Sequence, residues 1–297
     1  MRKQKPAAAP DPTLEAADAY CRYLTQRHYE NFSVASRFVG AGHRIDLARI
    51  YAYCRSTDDL GDESPDGTAL PRLARWRADV EAMFAGEPPL HPVLTALRET
   101  VVRRRIPAAP FLDLIEANVM DQRVKAYPAW PDLERYCMLS AAPVGRMVLR
   151  VFEVFDSECE RLSDDVCIGL QLANHAQDVG RDAAMGRTYL VQADVMRGGE
   201  VAATRALVER ARKLLDSGRA LERRVGSRPL RAQLSLYRLG GLAICDAIAH
   251  TGYRTRENRP HVSTVTKVSL AGRAVMEAFR PAAPVAASSA TTPHATK

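Results

Sequence analysis

Residues 49–63 read "RIYAYCRSTDDLGDE". An apolar-flanked run leads into Arg55 and then into four acids, Asp58, Asp59, Asp62 and Glu63, within six positions. On a helix Asp58 and Asp62 lie four apart and differ by only about 40° around the axis, so both project from one face. Arg55 stands one turn earlier on nearly the same face. Like charges at this spacing weaken a helix unless something neutralises them. Solvent and salt, a basic partner, or bound cations could each do so.

A second polar cluster, "NHAQDVGRD" at 174–182, sets Asn174, Asp178 and Asp182 at i, i+4 and i+8. Continued as one helix, these three share a face that drifts by about 80°. Five hard oxygen donors on two helices suit Mg²⁺, which completes its shell with water and phosphate oxygens. An all-α bundle projecting such side chains into one cavity is an established way to hold metal. Arg55 and Arg181 stand close enough in sequence to neutralise a departing diphosphate. A single D-x-x-x-D is more often a solvated face, and Asn174 can equally be a buried polar residue bonded within a bundle. The apolar flanks "IYAYC" and "IGLQLA" argue against a simply solvent-washed segment.

Working outward, helical patterning fills most of the 297 residues, and alternating strand patterns are absent. "LEAADAYCRYLTQRHYENF", "RIDLARIYAYCRSTDDL", "LPRLARWRADVEAMFAG" and "HPVLTALRETVVRRR" carry apolar residues at three- and four-residue steps. "DDVCIGLQLANHAQDVGRDAAMG" reads as one long helix ending near Gly186, and two further helices close the series. The expectation is one all-α domain over residues 13–280, a helical bundle around a central cavity. Residues 1–12 and 281–297 are Pro/Ala-rich or lack bulky apolar residues, so they are expected to be disordered.

The formal charge is +7, but the arginines are scattered rather than striped, which disfavours nucleic acid as a partner. Attraction to anionic headgroups or a polyanionic substrate is the weaker alternative to solvated helix faces. No apolar run approaches a bilayer span and "MRKQKPAAAPDPT" lacks a secretory core, so the expected location is cytoplasmic. The six cysteines show no CxxC and read as reduced. No glycine-rich nicotinamide fingerprint follows a convincing strand.

The two acidic motifs together resemble those of the squalene/phytoene synthase family, an all-α isoprenoid synthase fold. "YAYCRSTDDLGDE" is similar to its first aspartate-rich motif and "LANHAQDVGRDAAMGRTYL" to its second, with "YCMLSAAPVG" between them. The resemblance spans most of residues 20–275. It implies Asp58, Asp62, Asn174, Asp178 and Asp182 as Mg²⁺ ligands, with Asp59 and Glu63 in support. It implies that Arg55 contacts diphosphate, that Tyr51 lines the cavity above it, and that Arg187 and Tyr189 sit at the site. Phe32, Tyr51 and Tyr189 are the aromatic candidates for steadying a cation, each equally readable as core. His28 is a candidate for orienting substrate, with a structural role favoured. Arg259 and Lys267 are further candidates for phosphate contact.

Within the family, "HYENFSVASRF" and "YCMLSAAPVGRMVL" resemble members that act on presqualene diphosphate in bacterial hopanoid biosynthesis. Members that condense two prenyl diphosphates often carry serines or threonines near His28 and Phe32, where Tyr29 and Asn31 stand here. The implied substrate is an isoprenoid diphosphate, and peripheral docking on a membrane is compatible with so oily a molecule. Head-to-head condensation of prenyl diphosphates is the rival reaction, and a noncatalytic assembly protein on the same fold is the rival class.

Overall fold

A computed structural model describes residues 12–27 and 39–280. His28, Phe32 and the "HYENF" segment lie outside the described residues, as do residues 1–11 and 281–297. Among the described residues there are helices and connecting turns, with no strand. They are α1 (Pro12–Arg27), α2 (Ala41–Asp62), α3 (Ala69–Phe84), α4 (Pro92–Arg104), α5 (Ala109–Arg123) and α6 (Trp130–Ser140). α7 (Ala142–Val151), α8 (Ser157–Gln177), α9 (Val179–Ala184), α10 (Gln192–Arg224), α11 (Arg228–His250) and α12 (Thr264–Ala278) follow.

The helix boundaries follow local chemistry. Asp156 accepts from the Cys159 amide at 2.8 Å and opens α8, and Ser227 and Ser263 cap α11 and α12 in the same way. Pro143 sits in the first turn of α7, where its missing amide costs nothing, so "SAAPVG" ends one helix and begins the next. The helix expected to run unbroken to Gly186 is instead interrupted at Asp178, whose φ of −100° and ψ of 17° separate α8 from α9. The hydrogen-bond ladder nevertheless carries through, from Asp178 N to Asn174 O and from Asp182 N to Asp178 O, each 2.9 Å. The polar spacing therefore survives a local change of direction that periodicity does not register.

α2 is anchored well before its acidic end. Arg49 spans α1 and α4, bonding both carboxylate oxygens of Asp18 (2.7 and 2.8 Å) and Thr100 Oγ1 (3.2 Å). Thr100 and Arg104 in turn donate to the fully buried Asp46 at 2.7 and 2.9 Å. Tyr53 donates to the Phe111 carbonyl at 2.8 Å and Trp76 Nε1 to Thr57 Oγ1 at 2.9 Å, fixing α2 to α5 and α3. Met147 fills the core beneath them.

α8 is held by close packing against α10. A Cβ built at Gly169 would stand 2.9 Å from Leu215 Cγ and 3.1 Å from the Ala211 carbonyl, so the absence of a side chain sets this approach. Gly169→Val is therefore expected to destabilise the protein by about 1–3 kcal/mol, net of its better helix propensity. Urea denaturation checks this, and an unchanged midpoint would show that α8 and α10 can separate freely.

Candidate active site

The acidic ends of α2 and α8–α9 face one cavity of about 500 Å³. Asp58 and Asp62 line it from α2, and Asn174, Asp178 and Asp182 from the α8–α9 junction. Arg55, Arg181, Arg187 and Tyr189 line it as well. Asn174 opens onto the cavity rather than being buried within the bundle. Lys267 is not brought there: it is exposed in the first turn of α12 and does not line the cavity. Tyr51 lines a neighbouring apolar pocket.

Arginines balance the carboxylates. Arg55 Nη2 reaches Asp59 at 2.5 Å and Glu63 at 2.6 Å, so those two acids hold the guanidinium in place. Arg187 Nη1 donates to Asp62 at 3.0 Å, and Arg259 pairs with Asp178. Arg259 arrives on the turn after α11, which is pinned by Thr255 bonding Ala176 O (2.7 Å) and Gln177 bonding Pro260 O (2.6 Å). Gly180 allows this docking, since a Cβ there would lie 2.0 Å from the Arg256 carbonyl oxygen.

Balance is incomplete where the protein encloses the groups most. Asp58 meets solvent within the cavity but is walled elsewhere, and burial pushes its carboxyl up to about 6 against the 3.2 Å bond from Asn118. Burial, then the charge of Asp178, pushes Asp182 up to about 7. Burial, with Arg187 adding to it, drives His175 down to about 3, so its ring is neutral. The Nε groups of Arg55 and Arg187 are buried without a hydrogen-bond partner among the described residues.

Three residues central to this arrangement were not identified from the sequence. Asp121 on α5 accepts from Tyr136 Oη at 2.7 Å and Tyr189 Oη at 2.8 Å, and Arg187 lies 4.0 Å away. Tyr189 stacks on His175 with ring centroids 3.7 Å apart. Asp121 thus fixes Tyr189 and Arg187 from behind. The available signal was "NVMDQ", where Asn118, Asp121 and Gln122 place a polar patch at helical spacing on an otherwise apolar stretch.

The donors present are carboxylate and amide oxygens, which suit a hard divalent cation. Among the described residues no three acidic, histidine or cysteine side chains converge closely enough to cage a metal by themselves. The arrangement fits Mg²⁺ that takes its remaining ligands from water and phosphate oxygens, and the unpartnered Arg55 and Arg187 donors fit the accompanying anion.

The apolar pocket, about 320 Å³, adjoins this cavity along two helices. Tyr51 and Cys54 line it one turn before Arg55 and Asp58, and Cys167 and Leu170 line it one turn before Gln171 and Asn174. Val148, Leu234 and Tyr237 close its other sides. A charged head and an oily body can therefore be held end to end.

A helical bundle with paired acidic faces over an apolar pocket defines the class of enzymes that act on isoprenoid diphosphates. Residues 25–266 match the squalene/phytoene synthase family, and the chain belongs to it. It is 33% identical over 243 residues to the hydroxysqualene synthase of Rhodopseudomonas palustris, covering 79% of this chain and 82% of that protein. It is 30% identical over 285 residues to the phytoene synthase of Arthrospira platensis, covering 85% and 91%. The solved structure of squalene synthase HpnC from Alicyclobacillus acidocaldarius superposes with a TM-score of 0.77 at 43% identity, covering 82% of this chain and 97% of that one.

Two outcomes are expected. The raised carboxyls must lose protons to take a cation, so Mg²⁺ competes with protons. Without metal, the folded state keeps protons that unfolded carboxyls, near 3.8, release, and its stability falls as pH rises towards about 7. The rise in Tm caused by Mg²⁺ with inorganic diphosphate should be largest near pH 8 and shrink as pH falls through about 7 to about 6. A shift that grows on acidification would oppose this. Separately, Asp121→Ala strands two buried tyrosine hydroxyls and should cost about 2–5 kcal/mol. Asp121→Asn, which keeps an acceptor, should cost less, as chemical denaturation would report.

Proposed function

We propose that the protein converts presqualene diphosphate and water to hydroxysqualene and diphosphate. The observation that carries this reading is the adjoining pair of compartments, one acidic and arginine-rich, the other apolar. The hydroxysqualene synthase among its relatives points the same way. So do Tyr29 and Asn31, which replace the serines or threonines expected of an enzyme binding a second diphosphate.

Asp58, Asp62, Asn174, Asp178 and Asp182 would hold Mg²⁺. When bound, Mg²⁺ supplies Lewis-acid stabilisation of the charge on the diphosphate. Arg55, Arg181 and Arg187 contribute guanidinium donors to the departing oxygens, and Asp59, Glu63 and Asp121 keep Arg55 and Arg187 aimed. The carbon–oxygen bond breaks with its electron pair leaving on the diphosphate. The cation left behind rearranges in the apolar pocket, whose walls keep stray water out until rearrangement is complete. The faces of Tyr51 and Tyr237 can each stabilise the cation by about 0.5–2 kcal/mol. A water oxygen then bonds to carbon and its proton is released.

Head-to-head condensation is the second reading, favoured by the phytoene synthases among the relatives. Product analysis after incubation with Mg²⁺ and presqualene diphosphate, without NADPH, separates the two when run beside farnesyl diphosphate. The proposed reaction gives hydroxysqualene from the first substrate alone, abolished by EDTA. Consumption of farnesyl diphosphate places the protein on the condensing branch. Turnover of neither by folded, metal-binding protein would favour a noncatalytic role.

A further inference from the structure

A second polar cavity, about 360 Å³, lies between α10, α11 and α12 and shares no lining residue with the acidic site. Arg219, Arg223, Arg231, Arg238 and Arg280 line it against Glu222 and Glu277. Arg238, 2% exposed, spends Nε and Nη2 on Glu222 at 2.6 and 3.2 Å and leaves Nη1 without a partner among the described residues. Arg231, 6% exposed, gives its terminal nitrogens to the carbonyls of Val225, Ala278 and Arg280 and leaves Nε without one. A buried guanidinium donor left unbonded is costly. Two in one cation-rich cavity mark a place where an anion with several oxygens is stabilised, and arginine's planar fork suits phosphate.

The rim of this cavity says what carries the phosphate. α12 packs on α11 through Leu270, Ala274 and Ala278. Its outward side carries Val265, Val268, Met276 and Phe279, each 66–81% exposed. At about 100° per residue these four fall within about 80° of one another, so they form one apolar stripe. The stripe ends beside the cavity: Arg280 follows Phe279, and Arg228 lies over the Phe279 ring at 5.2 Å. A free phosphate ion needs no such stripe. A bilayer interface offers both an anionic headgroup and an apolar boundary for one helix face. Among the described residues no helix is long and apolar enough to cross a membrane, so any docking there is to a surface.

We infer that α12 and the arginine cavity form a docking surface for a bilayer containing anionic phospholipid, with a headgroup phosphate seated on Arg231 and Arg238 and the stripe in the interface. α11 stands between this surface and the apolar pocket, presenting Leu234 and Tyr237 to the pocket and Arg231 and Arg238 to the cavity. One helix thus separates the hydrocarbon compartment from the bilayer. The inference rests on this surface and not on the identity of the product.

Co-sedimentation of the full chain with vesicles tests it. Binding to phosphatidylcholine vesicles containing phosphatidylglycerol, weakened by salt and weak on pure phosphatidylcholine, is the expected result. Phe279→Asp with Val268→Asp, and separately Arg219→Glu with Arg223→Glu, should each lower partitioning about tenfold or more. All four side chains are exposed, so unchanged circular dichroism and Tm should accompany the loss. Equal binding to both vesicle types, or no effect of either pair of substitutions, overturns the inference. So does saturable binding of inorganic phosphate without vesicle binding, which would make the cavity a free-anion site. A dimer in solution that Phe279→Asp dissociates, again without vesicle binding, would make the stripe an interface between copies.

Discussion

Mutual repulsion between carboxylates is the constraint around which this molecule is arranged. Asp58 and Asp62 confront Asp178 and Asp182 across one cavity, and like charges in an enclosed space drive helices apart. They stay opposed because both helices are fixed elsewhere. Arg49, Tyr53 and Thr57 tie α2 to its neighbours before its acidic end, and Gly169 lets α8 settle onto α10. Enclosure chiefly, with Asp62 beside Asp58 and Asp178 beside Asp182 adding to it, holds the carboxyls of Asp58 and Asp182 up. This is the electrostatic condition under which a divalent cation gains most on entering.

Counter-charge is distributed so that Arg55 and Arg187 each have backing acids. Arg55 leans on Asp59 and Glu63, and Arg187 on Asp62 with Asp121 behind it. Such pairs are partly exposed and individually contribute little to stability. Their value is positional, since a guanidinium held by two acids offers its remaining donors in a fixed direction. The Tyr136–Asp121–Tyr189 chain extends the same logic into the aromatic layer, where the neutral His175 stacks on Tyr189.

The bundle class and the two acidic faces were legible in the sequence because helical periodicity repeats over many residues and D-x-x-x-D puts both carboxylates on one side. Less of the supporting layer could be read. Asp121, Tyr136 and His175 are single polar residues on mostly apolar helices, and only packing shows that they meet. The break at Asp178 leaves the i, i+4 spacing intact, so spacing could not disclose it. Lys267 is a candidate through its position in a resembling segment, yet it stands exposed in the first turn of α12 and outside the cavity. Arg259 from the same segment does reach Asp178, because Gly180 and Thr255 bring its turn onto α8–α9.

The proposed reaction requires that the bond between carbon and oxygen breaks and that water attacks carbon inside the apolar pocket. Running the reaction on presqualene diphosphate in H₂¹⁸O, followed by mass spectrometry of both products, tests that claim most directly. The label should appear in the hydroxyl of hydroxysqualene, with the released diphosphate unlabelled. Label in the diphosphate and an unlabelled alcohol would mean attack at phosphorus, and would contradict a site built to ionise its substrate.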